Sequence, residues 1–298
     1  MLVYFYLISA IYIALVIWFI IGWNRAVRLG AFEKYNAKTP ELSVVVAIRN
    51  EEHNIPALLD ALAKQDYPKE KFEIILVDDH SQDNSTELVR KYAQGSQISI
   101  TLLLSPGSSK DHSPKRTALH AGIEISKGSI IALTDADCVM GPLWLTTLAR
   151  YFGDESVNFV SGPVVITSGK GLLAGFQTVE FCSVMGSGAS MLQSGVPLMC
   201  NGANVAFRKS AFRQANGYDT VDQRATGDDV LLMQKMHSYF QGSVLFAANQ
   251  ELIVKTPSVS TIRGFITQRK RWASKWNTTE VPFTWILPVL LFLYNFSF

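Results

Sequence analysis

Three apolar runs in the first half of the chain each end in a cluster of charged residues. Residues 42–48, 72–77 and 130–133 are rich in Val, Ile and Leu, and short runs of this composition are typical of buried β-strands. Amphipathic stretches with helical spacing lie between the runs. This alternation predicts βαβ units around a mainly parallel sheet, which places the chain in the α/β class.

The charged clusters after these runs are expected to meet in space. They begin at Arg49, Asp78 and Asp135, and the carboxyl ends of parallel strands share one edge of a sheet, where ligands bind. Asp135 and Asp137, one residue apart, suit a hard divalent cation, which takes carboxylate oxygen together with substrate phosphate. The alternative for this acidic pair is a solvated turn, and the convergence of three clusters favours the metal site.

The composition excludes several other classes of protein. The 298 residues allow one large domain or two small ones, and a formal charge of +2 without basic runs argues against a nucleic-acid partner. The three cysteines are widely spaced, so neither a disulfide framework nor a zinc site is indicated.

The N-terminal residues 1–23 are expected to form a transmembrane helix. The run from Leu2 to Trp23 contains no charge and is long enough to cross a hydrocarbon core of about 30 Å. A cleaved signal peptide is the alternative, but a basic leading region and a small-residue cleavage site are missing. Basic residues in the juxtamembrane linker, residues 24–40, predict that the rest of the chain lies on the cytoplasmic side of the cell (inner) membrane.

Two further segments also suggest a membrane. Residues 256–280 mix Trp and Phe with Lys and Arg, which is typical of an amphipathic helix at a bilayer surface. Residues 281–298 are apolar again and are expected to begin a second transmembrane segment. Residues 169–200 are rich in small residues, which fits either a helix against a membrane or groove, or an ordinary buried helix followed by a loop.

Six short motifs follow one another between about residues 40 and 275. They are Ala47-Ile48-Arg49-Asn50-Glu51-Glu52, Val77-Asp78-Asp79-His80-Ser81, Lys115, Thr134-Asp135-Ala136-Asp137, Gly227-Asp228-Asp229 and Gln268-Arg269-Lys270-Arg271-Trp272. In this order the motifs resemble the family 2 inverting, membrane-bound glycosyltransferases, which include cellulose, chitin, hyaluronan and poly-N-acetylglucosamine synthases. The resemblance implies a GT-A fold over residues 41–255, with a donor half at 41–140 and an acceptor half at 141–255.

The resemblance also implies roles in binding a UDP-sugar donor. Asp137 is the expected direct ligand of Mg²⁺ or Mn²⁺, while Asp135 contacts the donor ribose or supports the metal. The uridine and its phosphates are expected to contact residues at neighbouring strand ends. These donor-binding residues are Ala47, Arg49, Glu51, Asp78, Asp79, Lys115 and Asp135.

An inverting transfer needs one general base to deprotonate the acceptor hydroxyl. The resemblance implies that Asp229 is this base, although Asp228 stands beside it where the family carries Glu. Gln268, Arg271 and Trp272 are then expected on the acceptor side. Arg271 would pair with the diphosphate and Trp272 would stack on the acceptor sugar.

The acceptor is expected to be a glycan or a lipid-linked molecule at the lipid bilayer, and the pattern of Gln268, Arg271 and Trp272 favours chain extension by a processive synthase. Two alternatives remain: a non-processive transferase that adds one sugar to a lipid, and a membrane-tethered protein that binds nucleotide-sugars without turnover. The identity of the sugar and the oligomeric state do not follow from the sequence.

Overall fold

The computed structural model describes residues 2–30, 39–107, 113–167, 169–218 and 227–274. The expected second transmembrane segment, residues 281–298, lies outside the described residues, as do residues 31–38 of the juxtamembrane linker and the end of the amphipathic segment. The helices are α1 Leu2–Gly30, α2 Ile55–Ala63, α3 Ser85–Gly95, α4 Pro114–Ile125, α5 Trp144–Tyr151, α6 Leu172–Gln193, α7 Lys209–Gln214, α8 Asp228–Tyr239 and α9 Ile262–Ser274. The strands are β1 Leu42–Ile48, β2 Phe72–Asp78, β3 Ser99–Leu104, β4 Ile130–Leu133, β5 Val139–Met140, β6 Phe159–Ser161, β7 Val164–Thr167, β8 Val205–Arg208, β9 Val244–Phe246 and β10 Val254–Pro257.

In the part of the chain that the structure describes, the main sheet has seven strands in the order β3-β2-β1-β4-β8-β6-β9. The first four strands are parallel, as the alternation of apolar and amphipathic runs predicts, and β8 then runs antiparallel to both of its neighbours. The chain builds outward from β1 to β3 and afterwards returns to place β4 on the other side of β1. This reversal creates the crevice between β1 and β4 in which α/β sheets bind ligands.

The apolar composition of residues 159–166 predicts a single strand, but the structure divides this run between two sheets. The chain leaves the main sheet after β6, passes through Gly162 and Pro163, and enters β7 of a second, three-stranded sheet with the order β5-β10-β7. Pro163 has no N–H with which to continue a ladder, and its carbonyl accepts a hydrogen bond from the N–H of Val254 in β10 at 3.0 Å. This small sheet brings β10 beside the segment that follows β4.

Helix α4 lies unusually close to the main sheet. A β-carbon built on Gly122 would stand 2.5 Å from Cγ1 of Val45 in β1 and 2.9 Å from Cγ2 of Val77 in β2. Real carbon atoms do not approach so closely, so only glycine permits this packing. The close contact fixes the height of the helix above the sheet, and with it the position of Lys115 in the first turn.

Helix α1 packs against α6, and the contact again depends on glycine. A β-carbon on Gly22 would lie 2.2 Å from the carbonyl oxygen of Ser190. Small residues that allow two helix backbones to approach are typical of helix pairs in membranes. Within α1, the 21 residues Ser9–Leu29 are long and apolar enough to cross a bilayer. Large apolar side chains on the other faces of α1 are exposed, including Ile13 at 57% and Ile20 at 54%.

Gly22→Ala is therefore expected to weaken the packing of α1 on α6. Forcing a methyl group against a carbonyl should cost about 1–3 kcal/mol of unfolding free energy, measured as a lower thermal midpoint in detergent micelles. Gly186→Ala in α6 is the matched control, because a β-carbon there meets nothing within 4 Å. Equal midpoints for the two variants would contradict the proposed close contact.

Candidate active site

The segments that follow β1, β2 and β4 meet at the crevice of the main sheet. Ile48 pairs with Asp78 at the ends of β1 and β2, and the N–H of Asp79 donates to the carbonyl of Ile48 at 2.8 Å. Ala47 lies opposite Val77 in the same pair of strands. The predicted donor residues therefore share one edge of the sheet.

Asp78 and Asp79 have different surroundings in this structure. The carboxylate of Asp78 is buried and accepts the backbone N–H of Ser81 at 3.2 Å, so it holds the turn after β2. The carboxylate of Asp79 forms an ion pair with the guanidinium of Arg49 at 3.0 Å. Asp79 is nearly buried, whereas Arg49 is exposed. The pair is suited to a polar ligand that approaches from solvent.

Glu51 is held by the neighbouring α3 segment and faces the acidic pair after β4. Its backbone N–H donates to Oγ of Ser85 at 2.7 Å, and its carboxylate accepts a hydrogen bond from Asn54 at 2.6 Å. Burial raises the pKa of Glu51, and the nearby charges of Asp137 and Asp135 raise it further, against the lowering effect of Asn54. Negative charge is thus concentrated between the ends of β1 and β4.

Lys115 supplies a positive charge at this edge. Its ammonium lies 2.5 Å from Oδ1 of Asp135. Burial alone would lower the pKa of Lys115, but the carboxylates of Asp135, Asp229 and Asp228 outweigh that effect and raise the pKa to about 12. The ammonium therefore stays charged at neutral pH.

Asp137 is largely buried beside Asp135, and the two side chains that donate to its carboxylate give only weak hydrogen bonds. Thr256 Oγ1 in β10 and the thiol of Cys138 donate to its two oxygens, each at 3.4 Å. Burial raises the pKa of Asp137, and the negative charge of Asp135 raises it further. A bound cation would offset the free-energy cost of ionising the Asp137 carboxyl group.

The residues around Asp137 fit the predicted magnesium or manganese ion. Within the described part of the chain, no group of three His, Cys, Asp or Glu side chains could hold a metal ion without other ligands. Mg²⁺ typically binds through one or two carboxylates together with substrate phosphates and water. The buried carboxylate of Asp137, with Asp135 beside it, matches that smaller ligand set.

Asp228 and Asp229 are the first two residues of helix α8, and their charges act on Lys115. The carboxylate of Asp229 accepts the N–H of Gly202 at 2.8 Å and that of Val230 at 3.0 Å, which fixes its orientation. Asp228 accepts a longer hydrogen bond from Ser113 Oγ at 3.2 Å. Burial raises the pKa of Asp228, and the charge of Asp229 adds to this increase. Asp229 is therefore firmly oriented, whereas Asp228 is held more loosely.

A cavity of about 660 Å³ joins these groups to helix α9. Its wall includes predicted residues from four regions of the chain, whereas Ala47, Arg49, Glu51, Asp78 and Asp79 lie outside its lining. The predicted residues in the lining are Lys115, Asp135, Asp137, Asp228, Asp229, Gln268, Arg271 and Trp272. The structure thus brings the predicted metal, base and acceptor residues together around one space.

The indole of Trp272 contacts two other side chains in this structure. The guanidinium carbon of Arg269 lies 4.1 Å from the centre of its ring system, and Phe181 lies 5.4 Å away at an interplanar angle of 41°. Stacking of Trp272 on the acceptor sugar stays a prediction. In this structure the side chain of Arg269 already covers the indole.

Several residues of the site have no obvious signal in the sequence. Ser113, Gly202 and Thr256 contact the predicted acids from distant parts of the chain. Glu180 pairs with Arg269 across the cavity wall. Only Glu180 has a detectable signal, since it stands with Lys170 as one of two charges in residues 169–200.

The sequence also matches a family model over a region much longer than the individual motifs. A model of the family described as Glycosyl transferase family 2 matches residues 43–215, which is more than half of the chain. The chain belongs to this family. Most of the crevice lies within the matched region, whereas Asp228, Asp229 and the α9 residues follow it.

Two curated relatives of the chain have names that describe their activity. The chain is 32% identical over 128 residues to glycosyltransferase AglE of Haloferax volcanii, covering 43% of this chain and 40% of AglE. It is 24% identical to a poly-β-1,6-N-acetyl-D-glucosamine synthase of Staphylococcus epidermidis, covering 83% of this chain and 57% of the synthase. The chain therefore spans about half the length of these curated relatives.

Solved structures of similar shape confirm the predicted GT-A fold. Mannosyltransferase PcManGT of Pyrobaculum calidifontis, solved with GDP-mannose and Mn²⁺, has a TM-score of 0.63 and 20% identity over 92% of this chain and 74% of its own. Residues 1–349 of TarS from Staphylococcus aureus, solved with UDP-GlcNAc, have a TM-score of 0.52 and 17% identity over 74% of this chain and 59% of theirs. Identities this low support the fold alone.

Proposed function

We propose that the chain is a membrane-bound inverting glycosyltransferase that moves a sugar from a UDP-sugar to a glycan or lipid-linked acceptor. The observation that carries the proposal is the cavity itself. It places the acidic pair after β4, the acidic start of α8 and the polar face of α9 around one space. Membership of Glycosyl transferase family 2 supports the class of reaction.

The donor half of the proposal rests on the edge of the main sheet. Asp79, Arg49 and Glu51 would bind the uridine and ribose, because they lie at the strand ends next to the crevice. Asp137 would hold Mg²⁺ or Mn²⁺, with Asp135 beside it. The bound cation would neutralise charge on the diphosphate leaving group. The ammonium of Lys115 would contact the phosphates. PcManGT and TarS, whose structures contain nucleotide-sugars, support a donor of this class.

The transfer step would use Asp229 as the general base. Its carboxylate is oriented by two backbone N–H groups and faces the cavity. It would take the proton of the acceptor hydroxyl as that oxygen attacks the anomeric carbon and the bond to the diphosphate breaks on the opposite face. Arg271 would pair with the departing diphosphate, and Gln268 and Trp272 would contact the acceptor.

The membrane part of the proposal rests on α1. The apolar stretch Ser9–Leu29 would anchor the chain in the lipid bilayer, with α6 packed against it beside the cavity. Arg25 and Arg28 lie at the C-terminal end of this stretch. Basic residues at the end of a membrane helix favour the cytoplasmic side, so the catalytic domain would face the cytoplasm of the cell (inner) membrane.

A screen of nucleotide-sugars tests this function. The full chain in detergent micelles is expected to release UDP from one UDP-sugar when Mg²⁺ or Mn²⁺ is present, and to lose this activity with EDTA. GDP-mannose is the comparison donor, because it is bound in PcManGT. Release of GDP with no release of UDP would overturn the assignment of the nucleotide. Absence of both activities and of UDP binding would overturn the proposed function.

A further inference from the structure

Glu180 is an acidic residue in an otherwise apolar part of the chain. It lies in the middle of α6, which contains no other charged residue, and its carboxylate faces the cavity with a side-chain exposure of 29%. A carboxylate removed from water is costly unless it is paired. Its partner therefore shows what the residue does.

The partner is Arg269 of α9. Nε of Arg269 donates to Oε1 of Glu180 at 2.6 Å, and Nη2 donates to Oε2, so the two planar groups form a bidentate pair. Such pairs fix geometry as well as charge. Arg269 is only 18% exposed, which limits screening of the pair by water.

Arg269 also contacts two of the predicted acceptor residues. Nη1 donates to Oε1 of Gln268 at 2.6 Å. The guanidinium carbon lies 4.1 Å from the ring centre of Trp272 and 4.4 Å from that of Phe265. Arginine stacks on aromatic faces while its N–H groups bind a carboxylate in the plane. Arg269 therefore connects Glu180 to the indole of Trp272 and the amide of Gln268.

We propose that Glu180 is a positioning residue that acts through Arg269. Its carboxylate holds the guanidinium flat against Trp272 and beside Gln268, and so fixes where these two side chains stand in the cavity wall. The pair joins α6 to α9 at positions 89 residues apart in the sequence. The consequence for catalysis rests on the proposed function, whereas the effect on Trp272 does not.

The structural arm of the test uses the full chain labelled with 5-fluorotryptophan. The ¹⁹F signal of Trp272 is assigned by its loss in Trp272→Phe. Glu180→Gln keeps the size of the side chain and removes its charge, and it is expected to shift or broaden the Trp272 signal while the other tryptophan signals stay in place. Lys270→Gln is the matched control, because it removes an exposed charge from the same helix. An unchanged Trp272 signal in Glu180→Gln would overturn the inference.

The kinetic arm uses the UDP-sugar selected by the screen above. Glu180→Gln is expected to lower kcat for UDP release by about tenfold, as loss of a charge-assisted pair predicts, with the donor KM within twofold. Arg269→Lys should lose a similar factor, since lysine keeps the charge but cannot form the bidentate, stacked arrangement. The double variant should lose little more than either single variant.

The two arms separate the failure of this inference from failure of the proposed function. If no nucleotide-sugar is turned over by the unaltered chain, the proposed function fails and the ¹⁹F result still decides the positioning role. If turnover occurs and the losses in Glu180→Gln and Arg269→Lys multiply, the two residues act independently and the inference is wrong. A milder variant, Glu180→Asp, keeps the test available if the glutamine variant does not fold.

Discussion

Asp229→Asn is expected to lower the rate of sugar transfer by about 10²–10⁴-fold, the range that general-base catalysis supplies. The reason is that the amide cannot accept the proton of the acceptor hydroxyl. Asparagine keeps one oxygen for the N–H of Gly202, which Asp229 accepts at 2.8 Å. The start of α8 should therefore keep its position, and UDP affinity measured with Mn²⁺ should stay within about twofold.

Asp228→Asn is the matched control for this prediction. The carboxylate of Asp228 is less firmly held, through Ser113 at 3.2 Å, and burial together with the charge of Asp229 raises its pKa. Its replacement should reduce transfer by a smaller factor than Asp229→Asn. A larger loss in Asp228→Asn would transfer the role of base to Asp228. Near-native turnover in Asp229→Asn would show that Asp229 is not the base.

Asp137→Asn is expected to abolish the increase in UDP affinity that Mn²⁺ produces. A neutral amide oxygen is a much weaker ligand for a hard divalent cation than a carboxylate. Isothermal titration of UDP with Mn²⁺ and with EDTA measures the difference. Glu70→Gln is the control, because Glu70 lies in the turn before β2 at the opposite edge of the sheet. An Mn²⁺-dependent gain equal to that of the unaltered chain would refute the assignment of Asp137.

The same substitution should make the ligand-free protein more stable. Burial, and then the charge of Asp135, raises the pKa of Asp137 above its ordinary value. A carboxyl group with a raised pKa in the folded state destabilises the fold wherever it is ionised, which is at pH above that pKa. Asparagine removes this cost at neutral pH, so the melting temperature of Asp137→Asn without metal should increase. A lower melting temperature would contradict the claim that the ionised carboxylate of Asp137 destabilises the ligand-free protein.

The strands next to the crevice follow from local pattern. The sequence predicts β1 with its observed bounds, and the predicted β2 ends one residue before Asp78. Buried strands in a parallel sheet are short and mainly apolar, so the charged cluster after each apolar run marks the C-terminal end of the strand to within about one residue. The convergence of Arg49, Asp79 and Asp135 at one edge then follows from the direction of the strands.

The contacts across the cavity could not be predicted in this way. Ser113 and Asp228 are 115 positions apart, and Glu180 and Arg269 are 89 positions apart. No local periodicity encodes pairs at such separations. The division of residues 159–166 into two strands at Gly162 and Pro163 also depends on tertiary contacts, because β6 pairs with β8 of one sheet and β7 pairs with β10 of the other.

The close packing of α4 on the sheet has a consequence for any attempt to alter this protein. Gly122 and Lys115 lie on one rigid helix, about two turns or ~10 Å apart along its axis. At Gly122 the helix contacts the sheet through a hydrogen atom, which lies where any other residue would place a side chain against Val45 and Val77. A methyl group at that point would push α4 away from the sheet and move the ammonium of Lys115 relative to Asp135. The distance between the charges of Lys115 and Asp135 in the crevice therefore depends on Gly122, an uncharged residue outside the crevice.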